Sequence, residues 1–401
     1  MNPSKLLGMS PRRTAIIGGL MVTTGPLSLT LYGPALPSIV ADLGTSDAGG
    51  KLTMSVYFAA FAISQLICGP LSDRFGRRWV GVAFFAIYVI GSLVCAMAAS
   101  LEVLLLGRLL QGFGVSAGGA LSRAMVRDQF VGMEAVRILT LVNLILTVTP
   151  AIAPTLGSLI MLAGSWHLMF TIMAGFGLAV ITLLGFGARE TLPETARVPL
   201  VPRTVLVNYA TLLRAPDFLM PALLLALAFG GFYAFAALLP FILIEEIGLT
   251  PFQFAMALLA QTGSFIIGNL VAGRLAHKLD GAQLIVLGLI LLGMGGLGFA
   301  IAPRLFPDSV FAVMAPVSLW MLALPAIGPS ATVAAMARYG HIAGAAGAMT
   351  GFFQMGGGFI ASLLAIALFP DAHAALVTVL PILAVLAIVT ALLHRRSWAE
   401  Q

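Results

Sequence analysis

Long apolar runs, each ended by a short polar gap, fill this chain from about residue 14 to residue 393. The runs are continuous rather than alternating, which predicts helices and excludes a transmembrane barrel. About 20 consecutive apolar residues cross a bilayer as one helix. Reading between the charged gaps predicts twelve spans: 14–36, 52–71, 79–99, 102–125, 137–162, 167–187, 218–243, 253–276, 282–302, 309–333, 343–369 and 372–393. An even count puts both termini on one side of the membrane.

The longest polar gap runs from Ala188 to Asp217 and holds Pro193, Pro199, Pro202 and Pro216 among mixed charges. It predicts a cytoplasmic linker over 188–217, between an N-terminal six-helix half (1–187) and a C-terminal six-helix half (218–401). Internal repetition supports the division. Gly69-x-Leu71-x-Asp73-Arg74 has an eroded echo in Gly273-Arg274-Leu275-Ala276-His277-Lys278, 273 − 69 = 204 positions later. Leu36-Pro37 at the end of the first span returns as Leu239-Pro240 at the end of the seventh.

Composition fixes the solvent. Hydrophobic residues make up 60% of the chain and charged residues 9%, so water cannot surround most of it. In lipid, the 44 glycines and 22 prolines are compatible with helices, because neighbouring helices satisfy freed backbone groups. With the N-terminus inside, 18 Lys and Arg residues face the cytoplasm, only Lys51 and Arg304 face out, and Arg108 lies within a span. That asymmetry predicts two cytoplasmic termini, and the low lysine content and short loops point to a bacterial inner membrane. The net charge of +6 then reports topology and an anionic leaflet rather than a nucleic-acid partner. Lys5, Arg12 and Arg13 precede a first run too long for a signal peptide, which reads as a retained helix. Cys68 and Cys95 read as apolar packing residues.

Two short stretches carry candidate chemistry. In Gly69-Pro70-Leu71-Ser72-Asp73-Arg74-Phe75-Gly76-Arg77-Arg78 charge is packed between two membrane-length segments. Gly69 is expected to let a neighbouring helix approach, and Asp73 to accept from N–H groups at a helix start. Arg77 is expected to pair with Asp128, which follows Arg127 after span four. Such a cluster is a bistable latch, closed in one conformation and broken in another. In Gly107-Arg108-Leu109-Leu110-Gln111-Gly112, Arg108 and Gln111 share a helix face. A buried arginine there faces a cavity or a partner.

The first stretch resembles the G-x-L-x-D-R-x-G-R-R loop of the major facilitator superfamily, and Arg108-x-x-Gln111-Gly112 resembles its R-x-x-Q-G motif. Thr149 to Ser158 is similar in part to the antiporter motif of drug–proton exchangers, with Pro154 and Gly157 matching and Pro150 adding a second proline. A helix kink over Pro150, Pro154 and Gly157 is expected there. Leu31-Tyr32-Gly33-Pro34-Ala35-Leu36-Pro37, Glu190-Thr191-Leu192-Pro193-Glu194 and His341 to Gly347 resemble the bicyclomycin-resistance (Bcr/CflA) branch. The resemblance implies an all-α membrane protein of twelve helices, acting as a monomeric exporter of amphipathic drugs by alternating access. It implies proton antiport as well.

One departure bears on coupling. That branch carries an aspartate two residues before the span-one tyrosine; here Thr30 precedes Tyr32. All fifteen acidic residues fall in gaps or at span ends. The expected substrate is therefore neutral, zwitterionic or anionic, handled by Arg108, Gln111, Thr30, Asn143, Tyr32 and Tyr57. A dedicated carrier of one specific metabolite or siderophore-like product, coupled or uncoupled, is the alternative. No metal cluster, nucleophile–base set or phosphate loop is present in the sequence, so neither an enzyme nor a cofactor is expected.

Overall fold

The computed structural model describes residues 8–369 and 371–398, apart from the side chains of 136, 147, 148, 150, 151, 163 and 394–398. Within them lie fourteen α-helices: α1 (Pro11–Thr30), α2 (Leu36–Asp42), α3 (Asp47–Phe75), α4 (Arg77–Ala96), α5 (Leu101–Gln129), α6 (Gly132–Ala163), α7 (His167–Thr182), α8 (Pro202–Arg214), α9 (Pro216–Pro240), α10 (Pro251–Leu275), α11 (Gly281–Leu305), α12 (Val310–Met336), α13 (Ala343–Leu368) and α14 (Ala372–Trp398). Eleven segments of these residues are long and apolar enough to cross a membrane, and the 32-residue α6 stands where the fifth span was expected. Lys5 and the side chains of Arg395 and Arg396, counted in the orientation argument, lie outside the described residues.

Local signals start the helices. Ser10, Ser100 and Ser309 accept from the backbone of Arg13, Val103 and Ala312 at the starts of α1, α5 and α12. Thr250 with Gln253, and Asp280 with Gln283, form reciprocal capping boxes at α10 and α11.

Two details depart from the sequence reading. The first span is interrupted: α1 stops at Thr30, a 3-10 turn over Gly33–Ala35 follows, and α2 continues to Asp42. Pro34 and Pro37 lack the N–H groups that an unbroken helix needs. The polar gap is not all linker, since α8 occupies 13 of its residues. Pro202 opens that helix at a position where a missing N–H costs nothing.

The chain divides into two compact units. The first comprises Met1–Tyr32 and Ala59–Val207. A close seam joins α4 and α5. A Cβ on Gly91 would sit 2.6 Å from the Gln111 nitrogen, and one on Gly107 would sit 2.8 Å from the Cys95 nitrogen. These backbones touch because neither residue has a side chain, which is how helices associate where lipid removes the hydrophobic drive.

The second unit comprises Gly33–Phe58 and Asn208–Gln401. Its α9 meets α13 at Gly230, where an added Cβ would lie 2.9 Å from the Gly357 carbonyl. Trp320 on α12 packs over Gly231 and donates its indole N–H to the Ala228 carbonyl at 2.9 Å. The first half of α3 lies on these helices, with Ser55 bonded to Ser362 and the Phe58 ring 4.6 Å from that of Tyr233.

Candidate functional site

The loop between α3 and α4 is a single residue, Gly76. Its φ of +95° lies in the left-handed region that disfavours residues with a Cβ, so glycine suits this sharp reversal. The reversal points Arg77 inward, where only 4% of the residue is exposed. The guanidinium donates to Asp73 Oδ1 at 2.5 Å, to Ser72 Oγ at 2.7 Å and to Asp128 Oδ2 at 3.0 Å. Asp128 also accepts from Thr191 Oγ1 at 3.3 Å. A buried cation needs this many partners, because desolvation otherwise outweighs the Coulomb gain.

Asp73 does not cap α4 as the sequence suggested. It lies in the last turn of α3 and receives the arginine side chain instead. The free N–H groups of Arg77 and Arg78 go to the carboxylate of Glu190, at 2.8 Å and 3.2 Å. Arg78 turns to the helical turn Leu183–Gly187 that follows α7, donating to the carbonyls of Leu184, at 3.0 Å, and Gly185. Gly69 is not a close-approach position here, since a Cβ on it would meet nothing within 4 Å. Arg74 and Arg127 are exposed and make no ion pair among the described residues. Glu190, Ser72 and Thr191 are cluster members that sequence reasoning did not single out. The Glu190–Glu194 stretch is visible in the sequence, but nothing local ties it to a loop 113 positions away.

A second polar centre lies inside the first unit. Arg108 on α5 is fully buried. Its guanidinium carbon sits 4.6 Å over the Tyr32 ring, and its Nη1 donates to Gln111 Oε1 at 3.0 Å and to the Ser28 carbonyl at 3.3 Å. Cation–π contact over a desolvated ring contributes about 2 kcal/mol. Gln111 Nε2 donates to Ser92 Oγ at 2.7 Å, and Ser92 donates to the Tyr88 carbonyl at 2.8 Å. Ser28 Oγ donates to the Thr24 carbonyl at 2.8 Å, so Tyr88 is the donor in its 2.7 Å bond to Ser28 Oγ. Helices α1, α4 and α5 are thus joined by one polar network around a fixed cation, with Met173 of α7 at its edge, 3.7 Å from Gln111 Nε2.

The structure brings Arg108, Gln111 and Tyr32 together. Thr30 is half-buried, and its hydroxyl turns back to the Pro26 carbonyl at 2.8 Å. Asn143 is exposed on α6, and Tyr57 is buried in the second unit, its ring 6.0 Å from that of Phe58. Helix α6 runs unbroken through Pro154 and Gly157, both buried, while the side chain of Pro150 lies outside those described. Among the described residues every carboxylate sits in a loop or near a helix end.

Comparison with known proteins places these features. The chain is 30% identical over 357 residues to the uncharacterized MFS-type transporter YdgK of Bacillus subtilis (strain 168), covering 87% of each. It is 29% identical over 348 residues to multidrug resistance protein D of Escherichia coli (strain K12), covering 86% of each. The solved xylose transporter XylE from E. coli, in a partially occluded inward-open form, shares the fold at 13% identity, with a TM-score of 0.73 over 96% of this chain and 97% of that one. The Major Facilitator Superfamily pattern matches residues 19–366, and the chain belongs to that superfamily of multi-pass membrane transporters, which are not enzymes.

Proposed function

We propose that this protein exports small amphipathic, drug-like compounds by alternating access, and that it belongs to the Bcr/CflA branch. Likeness to multidrug resistance protein D over 86% of the chain supports export. The observation that carries the substrate class is the burial of Arg108 against Tyr32 and Gln111, with Thr30 in place of a span-one carboxylate. A fixed cation without a mid-membrane anion disfavours lipophilic cations and suits neutral, zwitterionic or anionic solutes. Proton antiport then uses groups at the helix ends or a charge on the substrate.

In this reading residues 1–187 and 218–401 form two six-helix halves that rock about a central site. Both termini are cytoplasmic, in a bacterial inner membrane, and the monomer is the working unit. The Arg77 cluster is the latch that closes one conformation and breaks in the other. Thr30, Asn143 and Tyr57 serve the substrate with Arg108, Gln111 and Tyr32. A kink of α6 at Pro150, Pro154 and Gly157 belongs to the same reading.

The test is transport in proteoliposomes of one neutral and one cationic fluorescent drug, with and without a pH gradient, for wild type and Thr30→Asp. Wild type is expected to move the neutral drug, and Thr30→Asp to gain the cation. A strict preference of wild type for the cation rejects the reading. Thr30 also favours a second reading, a dedicated carrier of one metabolite, which predicts that wild type moves neither drug.

A further inference from the structure

The carboxylate of Glu190 accepts four backbone N–H groups. Two belong to the start of α4, Arg77 at 2.8 Å and Arg78 at 3.2 Å. Two belong to its own segment, Thr191 at 3.0 Å and Leu192 at 3.1 Å. The first pair are N–H groups that a helix leaves unpaired at its positive end, where an anion is stabilised. The second pair fold the chain into a turn around Oε1, the oxygen that also accepts from the Arg77 N–H.

The segment after Glu190 stays on the loop. Thr191 shares Asp128 Oδ2 with Arg77, and the Val198 N–H reaches the Asp73 carbonyl at 3.1 Å. Both carboxylate residues that hold the Arg77 side chain are therefore also held by the 190–198 segment. Gly76 completes the fit: a Cβ there would run into the Glu190 carboxylate. The same loop in the second repeat is built differently. At position 76 + 204 = 280, Asp280 and Gln283 cap α11 from within the helix. Only the first repeat gives its cap to a residue of the segment that follows α7.

We propose that Glu190 is a positioning residue for the Arg77 cluster, a clasp through which the 190–198 segment holds the α3–α4 turn shut. This rests on the reading that the cluster opens during transport. The cluster then cannot separate unless that segment peels from α4, so the linker sets how readily the latch releases.

The test uses the full chain, in detergent and in proteoliposomes, with Glu190→Ala, Glu190→Gln and Glu190→Asp. Glu194→Gln is the control, because Glu194 is exposed and pairs only with Arg197 at 3.4 Å among the described residues. The first readout is hydrogen exchange of the Arg77 and Arg78 amides. The second is alkylation of Cys68 by a small maleimide in a Cys95→Ala background; Cys68 is fully buried next to Gly69. Glu190→Ala and Glu190→Gln are expected to raise both rates, by about tenfold for the amides on loss of a charge-assisted bond. Glu190→Asp restores part of the protection, and Glu194→Gln matches wild type.

If Glu190→Ala does not fold, Glu190→Gln and wild-type amide protection carry the test. Unprotected Arg77 and Arg78 amides in wild type would overturn the clasp. Faster amide exchange with unchanged Cys68 alkylation would also overturn it, reducing Glu190 to a local cap. Faster rates in both readouts, in a protein that moves neither drug, would uphold the clasp while rejecting drug export.

Discussion

Ser55 and Ser362 share a 2.8 Å hydrogen bond across 307 positions of sequence, with both side chains buried. Ser55 is the middle of three residues on one face of α3, at the i, i+4, i+7 spacing. Lys51 lies over the Phe241 ring at 4.9 Å, and Phe58 meets Tyr233 at 4.6 Å. This face joins the first half of α3 to α13 and to the end of α9 within the second unit. In the proposed alternating-access cycle this face separates. Replacing both serines by cysteine puts two thiols in range of a disulfide. Oxidation is expected to stop transport and reductant to restore it. Full transport by the oxidised, cross-linked protein would show that this seam never opens.

Lys51 is 4% exposed, yet no carboxylate oxygen among the described residues lies within 4.0 Å of its ammonium. Asp47, Glu245, Glu246 and Asp371 act on it from farther away. A buried charge without a close partner gives little net stability, and replacing it by an apolar residue of similar volume is often neutral. Lys51→Met is expected to keep its unfolding free energy to within about 1 kcal/mol of wild type, the cation–π contribution being offset by cheaper burial. Lys51→Glu adds a fifth carboxylate and is expected to lower the yield of the 55–362 cross-link. Equal yields for both variants would remove charge from the account of this seam.

The membrane spans were legible because lipid imposes one simple rule: a continuous apolar run about 20 residues long. Arg108 and Gln111 were legible as neighbours, being three apart on one helix. What escaped depends on contacts between distant segments. Asp73 carries the acid expected at a helix start, yet Glu190 takes that place from 113 positions away. No local pattern encodes such a pairing. Gly69 was read as a packing residue from its missing Cβ, but its surroundings in this conformation are open. Helix α8 was hidden because four prolines suggested a linker, whereas Pro202 and Pro216 sit at helix starts.

Asp128→Asn leaves the Arg77 guanidinium buried with one carboxylate instead of two. Breaking one side of a buried charge cluster costs about 3–5 kcal/mol when the remaining charge is unpaired. Asp73 still pairs here, so a loss of about 2 kcal/mol is expected. The effect is expected to vanish in an Arg77→Met background, because neutralising the cation removes the need for the acid. Arg74→Ala, at an exposed position, is expected to change stability by less than about 0.5 kcal/mol. Thermal unfolding in detergent of wild type, the two single variants, their double variant and Arg74→Ala reads this directly. Additive losses from Asp128→Asn and Arg77→Met would mean that the two residues do not act as a pair.

Tyr339 lies between two spans of the second unit, and its hydroxyl donates to Asp217 Oδ1 at 2.7 Å. Burial, and then the Asp217 carboxylate, push its phenol up from 10.0 to about 12. Between those values the folded protein keeps a proton that the unfolded chain has released. Its contribution to stability is therefore full below pH 10 and is lost as pH rises towards 12. Tyr339→Phe removes both the bond and the titration. At pH 7 it is expected to cost about 1 kcal/mol, the net worth of one hydrogen bond. Above pH 10 its melting temperature is expected to fall less steeply than that of wild type. Arg338, half exposed and 3.5 Å from Asp217, contributes only a surface pair, so Arg338→Ala is expected to keep the wild-type slope. Melting curves from pH 7 to pH 12 separate the three proteins. Parallel slopes for wild type and Tyr339→Phe would show that alkaline unfolding is driven by other groups.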